Sequence, residues 1–384
     1  MTHGDAMTTP ARSSRPGGRG ATGAPAAAGL PTAAGEVATT RAHDRLVARW
    51  LAVVCGFIVF MVVFGGFVRL TESGLSIVEW NVVMGVLPPI GEAAWRETFA
   101  RYQATPEFRH VNSAMTLAEY QRIFYIEYIH RLVARVAGLV VALPLLYFLA
   151  RGIIPRRRAL PYVGIGLLFG FQGFLGWYMV KSGLVDQPAV SHFRLTAHLL
   201  AALVLLCATY WQALGLRADG APMARPGDLR ARRAALAVLG LLFAQIAYGG
   251  LVAGLDAGMA SDTWPLMYGR WVPPGWLETL APWWRNLVSA PATVQFVHRW
   301  LAFAVLAAVL WLVRALRTAP ASAATRRGGY AVLALVVAQI VLGISVIWWH
   351  VPLALALGHQ ALAVAILMVV VWLNFRLRRG EAGP

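Results

Sequence analysis

The stretch "IFYIEYIHRLVARVAGLVVALPLL", residues 123–146, decides how this chain is read. Its later part is apolar enough for lipid, yet its first turns carry Glu127, His130, Arg131 and Arg135. Charges at the mouth of such a helix are costly, so each needs a use or a partner. The whole chain agrees with a membrane setting, being 58% hydrophobic and only 13% charged over 384 residues. A soluble protein of that size could not hide so much apolar surface, which makes an all-α polytopic membrane protein the natural class.

The net charge of +17 comes almost wholly from arginine, with Lys181 the one lysine. These arginines sit between apolar spans, a pattern of membrane orientation, so membrane lipid is expected as a partner and nucleic acid is not. Cys55 and Cys207 both fall inside apolar spans with no CxxC or metal-type spacing, and read as small buried hydrophobes. Residues 1–45 are read as a disordered tail, rich in Ala, Gly, Pro and Arg, with no apolar region of the secretory kind. Its acid-poor composition would also suit a mitochondrial transit peptide. The whole chain shares the Arg/Ala bias, so a bacterial tail is preferred.

A spanning helix needs about 20 mostly apolar residues. Eight segments qualify, roughly 49–69, 125–150, 160–180, 193–214, 234–254, 294–314, 329–349 and 354–375. Arginines cluster before the first, after the second, after the fourth, between the sixth and seventh, and at the end of the eighth. The positive-inside rule therefore puts both termini in the cytoplasm and the long loops, about 70–122 and 255–293, outside. A bacterial inner membrane is the expected location, ahead of the mitochondrial one. The tryptophans and prolines of these loops suit interfacial anchors, or else a lid over a site near that surface.

The halves resemble each other. "FGGFVRLTESGLSIVEW" recurs loosely as "YGGLVAGLDAGMASDTW", "EYIHRLVARVAGLVVAL" as "QFVHRWLAFAVLAAVLW", "FQGFLGW" as "AQIVLGI", and "LTAHLLAALVLL" as "LGHQALAVAIL". Each half has an even number of spans, so the repeat is parallel, which predicts two four-helix bundles side by side. The expected organisation is the tail 1–45, a first half 46–216, a cytoplasmic linker 217–233, a second half 234–376 and a C-terminal tail 377–384.

The repeat gives meaning to the histidines. His130, His198, His298 and His359 fall in spans two, four, six and eight, each about five residues in from the outer side, or about 8 Å at 1.5 Å per residue. Inward histidines on facing helices are how bundles hold haem or metals. A lone intramembrane histidine is often just bonded to a neighbouring helix, but four at one depth in repeated positions argue for ligation. Zinc fits poorly, since two ligands per half appear without cysteine or paired carboxylate. A haem needs two axial ligands, and each half supplies two. His192 reads as interfacial, and His3, His43, His110 and His350 lie in tails or loops.

The halves differ at one position of interest: "EYIHR" pairs with "QFVHR", so His130 matches His298 and Arg131 matches Arg299, but Glu127 becomes Gln295. Glu127 shares a helical face with His130, while Arg131 and Arg135 form a column beside it. The arginines could hold a haem propionate or pair with Glu127. A carboxylate kept in one of two equivalent pockets points to proton-coupled chemistry there. A plain Glu–Arg pair at a helix start is the bland alternative.

These motifs, "GGFVRLTESGLSIVEW", "IEYIHRLVARVAGL", "TWPLM", "VQFVHRW" and "LGHQALA", resemble the haem A synthase family in its alphaproteobacterial and mitochondrial form, over about residues 46–376. The resemblance implies an oxidoreductase that converts the C8 methyl of haem O to a formyl group through hydroxylated intermediates, giving haem A for cytochrome oxidase. Carried over residue by residue, Glu127 is the catalytic candidate, His130 and His198 hold the substrate haem, and His298 and His359 ligate a haem b. Some members carry cysteine pairs in the outer loops; this chain has none there, so it resembles the cysteine-free branch. The farnesyltransferase that makes haem O and an electron-transfer partner are the implied protein partners. A diheme b-type electron-transfer protein would use the same histidines without turning a haem over, and a transporter would place its polar groups nearer the midplane.

Overall fold

In the computed structural model, residues 33–79, 84–183, 189–218 and 228–379 are described, without the side chains of 33–38. The helices are α1 (Ala33–Leu70), α2 (Glu92–Gln103), α3 (Pro106–His110), α4 (Leu117–Ala150), α5 (Ala159–Gly183) and α6 (His192–Arg217), then α7 (Leu229–Gly254), α8 (Asn286–Ser289), α9 (Pro291–Thr318), α10 (Ala323–Trp348) and α11 (Leu353–Arg379). Eight of them, all but α2, α3 and α8, are long and apolar enough to cross a membrane. Among the described residues no strand forms beyond an isolated bridge between Met267 and Arg270. Most of the proposed N-terminal tail, the centre of the 217–233 linker and the last five residues lie outside the described residues.

Local chemistry sets the helix ends. A capping box opens α4, with Thr116 Oγ1 accepting from the Glu119 N–H and Glu119 Oε2 accepting from the Thr116 N–H. Asp228 caps α7 and Ser322 caps α10, each accepting a backbone N–H three residues on. Pro291 stands at the first position of α9, where its missing N–H costs nothing. The second span begins earlier than hydropathy suggests, at Leu117 rather than near 125. The added turns bury Tyr120 and Phe124 against Trp95 and Tyr102, an aromatic cluster that seats α2 and α3 on the start of α4.

The main core lies between the long helices. On α7, Ala231, Ala234, Ala235 and Val238 are fully buried, and small side chains there let backbones approach closely. Asn374 of α11 donates to the Ala235 carbonyl, and Trp50 of α1 to the Val140 carbonyl of α4. Gln360 of α11 donates to the Val62 carbonyl of α1 at 2.7 Å. On the opposite faces Leu139, Leu143, Leu146, Leu160 and Leu167 stay exposed, the surface that acyl chains would cover.

The paired glycines of α1 and α7 divide their work in the same way. A Cβ at Gly65 would lie 3.4 Å from His130, and one at Gly249 3.3 Å from His298. A Cβ at Gly66 would collide with Gln360 of α11, and one at Gly250 would press on Thr196 of α6. The first glycine of each pair thus makes room for an imidazole and the second for a neighbouring helix.

Candidate functional site

Each of the four histidines rests against a glycine on an adjacent helix. Besides the two contacts above, a Cβ at Gly176 would lie 3.2 Å from His198 Cε1, and one at Gly343 3.0 Å from His359 Cε1. The rings of His298 and His359 have centroids 6.4 Å apart. That separation would let both imidazoles hold one haem iron, given metal–nitrogen bonds of about 2 Å. Phe64 packs beside His130, with ring centroids 5.7 Å apart. Among the described residues no cluster of three or more His, Cys, Asp or Glu suits a bare metal ion, so the donor set fits a bis-histidine haem better than zinc.

Above the histidines, the residues that follow α1 and α7 come down on α4 and α9. Glu127 is buried, 2% exposed, and accepts four hydrogen bonds. Its Oε1 takes Arg131 Nε at 2.9 Å and Nη2 at 2.6 Å; its Oε2 takes the Ser76 hydroxyl at 2.7 Å and the Ile77 N–H at 2.8 Å. Arg131 also donates to the Ile77 and Glu79 carbonyls. The Arg131 nitrogens and the Ile77 N–H can only donate to it, and the Ser76 hydroxyl completes the set.

The second half repeats this frame with different chemistry. Arg299 donates to the Ser261 and Thr263 carbonyls, each at 2.7 Å, and these residues align with Ile77 and Glu79. Gln295 turns its amide the other way, donating to the Gly258 and Ser261 carbonyls. Ala260 stands where Ser76 stands in the first half, so the hydroxyl is absent along with the carboxylate. Among the described residues no carboxylate hydrogen-bonds Arg299, whose guanidinium lies 5.9 Å from the Trp264 ring centre. The first cap is neutralised by its own ion pair, whereas the second keeps a positive charge one residue from His298.

The other expected residues fall as follows. Arg135 sits one turn below Arg131 and lines with it an open cavity beneath the loop, together with Val78, Leu87, Thr98 and Tyr128. His192 opens α6 against Gly254 and Ser289. His130 stands 13 residues after the first residue of α4 (117 to 130), because the extra turns project into the loop layer.

Three features escape a reading of the sequence alone. One is Ser76 with the Ile77 N–H. Another is a set of glutamines, Gln172, Gln245 and Gln339, that reach His198, His298 and His359. The third is Glu107 in α3, 5% exposed, whose Oε2 has no hydrogen-bond partner among the described residues. Burial pushes its carboxyl up to about 8, assisted by the charges of Glu127 and Glu72 and opposed by Arg69.

Residues 48–371 match the family model described as cytochrome oxidase assembly protein, COX15-CtaA. A "Heme A synthase" of Nitrosospira multiformis is 44% identical over 341 residues, covering 88% of this chain and 95% of that protein. One of Sinorhizobium medicae is 43% identical over 345 residues, covering 88% and 92%. One of Mesorhizobium japonicum is 45% identical over 323 residues, covering 84% and 88%.

Proposed function

The chain belongs to the COX15-CtaA family of cytochrome oxidase assembly proteins, and on that premise we propose that it is a multi-pass membrane oxidoreductase converting haem O to haem A. The observation that carries this reading is the asymmetry between equivalent caps: a four-donor carboxylate, Glu127, above one histidine pair, and an amide, Gln295, above the other. In the proposed division, residues 46–216 hold the substrate haem on His130 and His198, and residues 234–376 hold a haem b on His298 and His359. The 6.4 Å ring separation and the glycine contacts support ligation of that kind. Haem b, when bound, supplies one-electron chemistry.

The chain's own residues orient, exclude water and fix charge. Arg131, Ser76 and the Ile77 N–H hold the Glu127 carboxylate in place, which supports a role in stabilising positive charge developing at the oxidised carbon over a role as proton shuttle. With Arg131 committed to Glu127, Arg299 is the better candidate for a haem propionate, since its guanidinium donates to two carbonyls and lies near a tryptophan ring, with no carboxylate hydrogen-bonded to it among the described residues. The loops over both caps sit on the outer side of a bacterial inner membrane, with both termini cytoplasmic. The farnesyltransferase that makes haem O is the proposed source of substrate, and an electron-transfer partner removes the electrons.

The test is chromatographic identification of the haems extracted from protein purified from cells supplied with haem O. Haem B with haem A is the expected result. Haem B alone, despite that supply, would make the protein a diheme electron carrier.

A further inference from the structure

The four ligand candidates are held by four helix pairs built on one plan, and one pair breaks it. In α5, α7 and α10 a glutamine stands four residues before the glycine that faces the histidine: Gln172 and Gly176, Gln245 and Gly249, Gln339 and Gly343. Each glutamine Nε2 crosses to the next helix and donates to the carbonyl of the histidine itself, at 3.0 Å for His198, 3.0 Å for His298 and 2.9 Å for His359. Gln172 and Gln245 also bring that nitrogen within 3.3 Å of a ring nitrogen. The carbonyl contact fixes the amide orientation, because a flipped amide would set two oxygens against each other. In α1 the position four residues before Gly65 is Met61, and a thioether cannot donate. Among the described residues, His130 has the glycine at its ring but no glutamine at its backbone.

This difference coincides with a functional need. A haem that stays requires two fixed ligands, whereas a haem that arrives as substrate and leaves as product requires one ligand that can let go. Resting on the proposed function, we propose that His130 is the exchange ligand, and that Met61 makes it so by leaving its helix untied to α1 at the level of the imidazole. His198, tied by Gln172, is then the fixed ligand of the same haem, and His298 and His359 are both fixed. The three glutamines and Met61 are positioning residues: they act on haem through the histidines.

The experiment measures haem exchange, not turnover. Full-length protein carrying both haems is mixed in detergent with excess apomyoglobin, and the haem left behind is identified over time. In the wild type, haem O and haem A should leave faster than haem B. Met61→Gln should slow their departure about tenfold, the worth of about one interhelical hydrogen bond, and leave haem B release unchanged. Met61→Leu should match the wild type at both sites. Gln245→Met should speed haem B release by a similar factor, which keeps the test decisive if Met61→Gln does not fold. Wild-type exchange in Met61→Gln, with its haem B spectrum intact, would overturn the inference while leaving the proposed function standing. Absence of haem O and haem A from every preparation would instead defeat the function on which it rests.

Discussion

Glu127 and Gln295 occupy the same corner of two matching frames, and they do opposite things there. Glu127 accepts from a guanidinium, a hydroxyl and a backbone N–H, whereas Gln295 donates to two carbonyls. The arginine beneath each keeps the same two loop carbonyls in hand: Ile77 and Glu79 in one case, Ser261 and Thr263 in the other. Backbone geometry is therefore shared, and charge is what has diverged. The two caps share an arginine-to-carbonyl frame on a histidine-and-glycine base and differ by a few substitutions, Glu for Gln and Ser for Ala.

The largest break in this comparison comes from the histidines. His298→Ala or His359→Ala should remove haem B entirely, while His130→Ala should retain it and lose haem O and haem A; absorption spectra and haem extraction separate these outcomes. Next come the arginines. Arg131→Met leaves a buried carboxylate without its cation, a loss of about 3–5 kcal/mol. Arg299→Met frees only carbonyls and should cost visibly less, so thermal melts of the two variants should rank in that order. Ser76→Ala, which makes the first cap resemble the second, removes one of four donors and should cost about 1–3 kcal/mol.

A further effect concerns pH and sharpens the comparison by isolating a buried carboxyl beside the first cap. Glu107 is held up near 8 in the fold against 4.5 for an ordinary glutamate. Across that window the folded protein keeps a proton that the unfolded chain has released, so stability falls as pH rises and levels off above about 8. Glu107→Gln should flatten this slope, melting a few degrees above the wild type at high pH and together with it near pH 4.5. Parallel melting curves at every pH would show that Glu107 carries no such proton.

Much of the architecture is legible in the sequence. Eight apolar runs announce eight long helices, since lipid tolerates no other way of satisfying a single segment's backbone. The four histidines and the Glu127–Gln295 difference stand out once the halves are aligned. Hydropathy misplaced the start of α4 because Glu119 and Arg122 interrupt the apolar run, although the turns they sit on pack aromatic side chains against α2 and α3. Ser76 was invisible, being an ordinary loop serine until the chain folds it within 2.7 Å of Glu127. The glutamines did leave a trace, a glutamine four residues before a glycine in three helices. It acquires meaning only when each proves to face a histidine one helix away.

If chemistry resides in the first half because its cap holds a carboxylate, that carboxylate should decide the yield of haem A. The most direct measurement is the ratio of haem A to haem O in Glu127→Gln and, separately, in Gln295→Glu, each purified with its haem complement intact. Glu127→Gln should keep both haems bound yet accumulate haem O or a hydroxylated intermediate, while Gln295→Glu should form haem A as the wild type does. Undiminished haem A in Glu127→Gln would place the chemistry elsewhere and reduce Glu127 to a structural partner of Arg131.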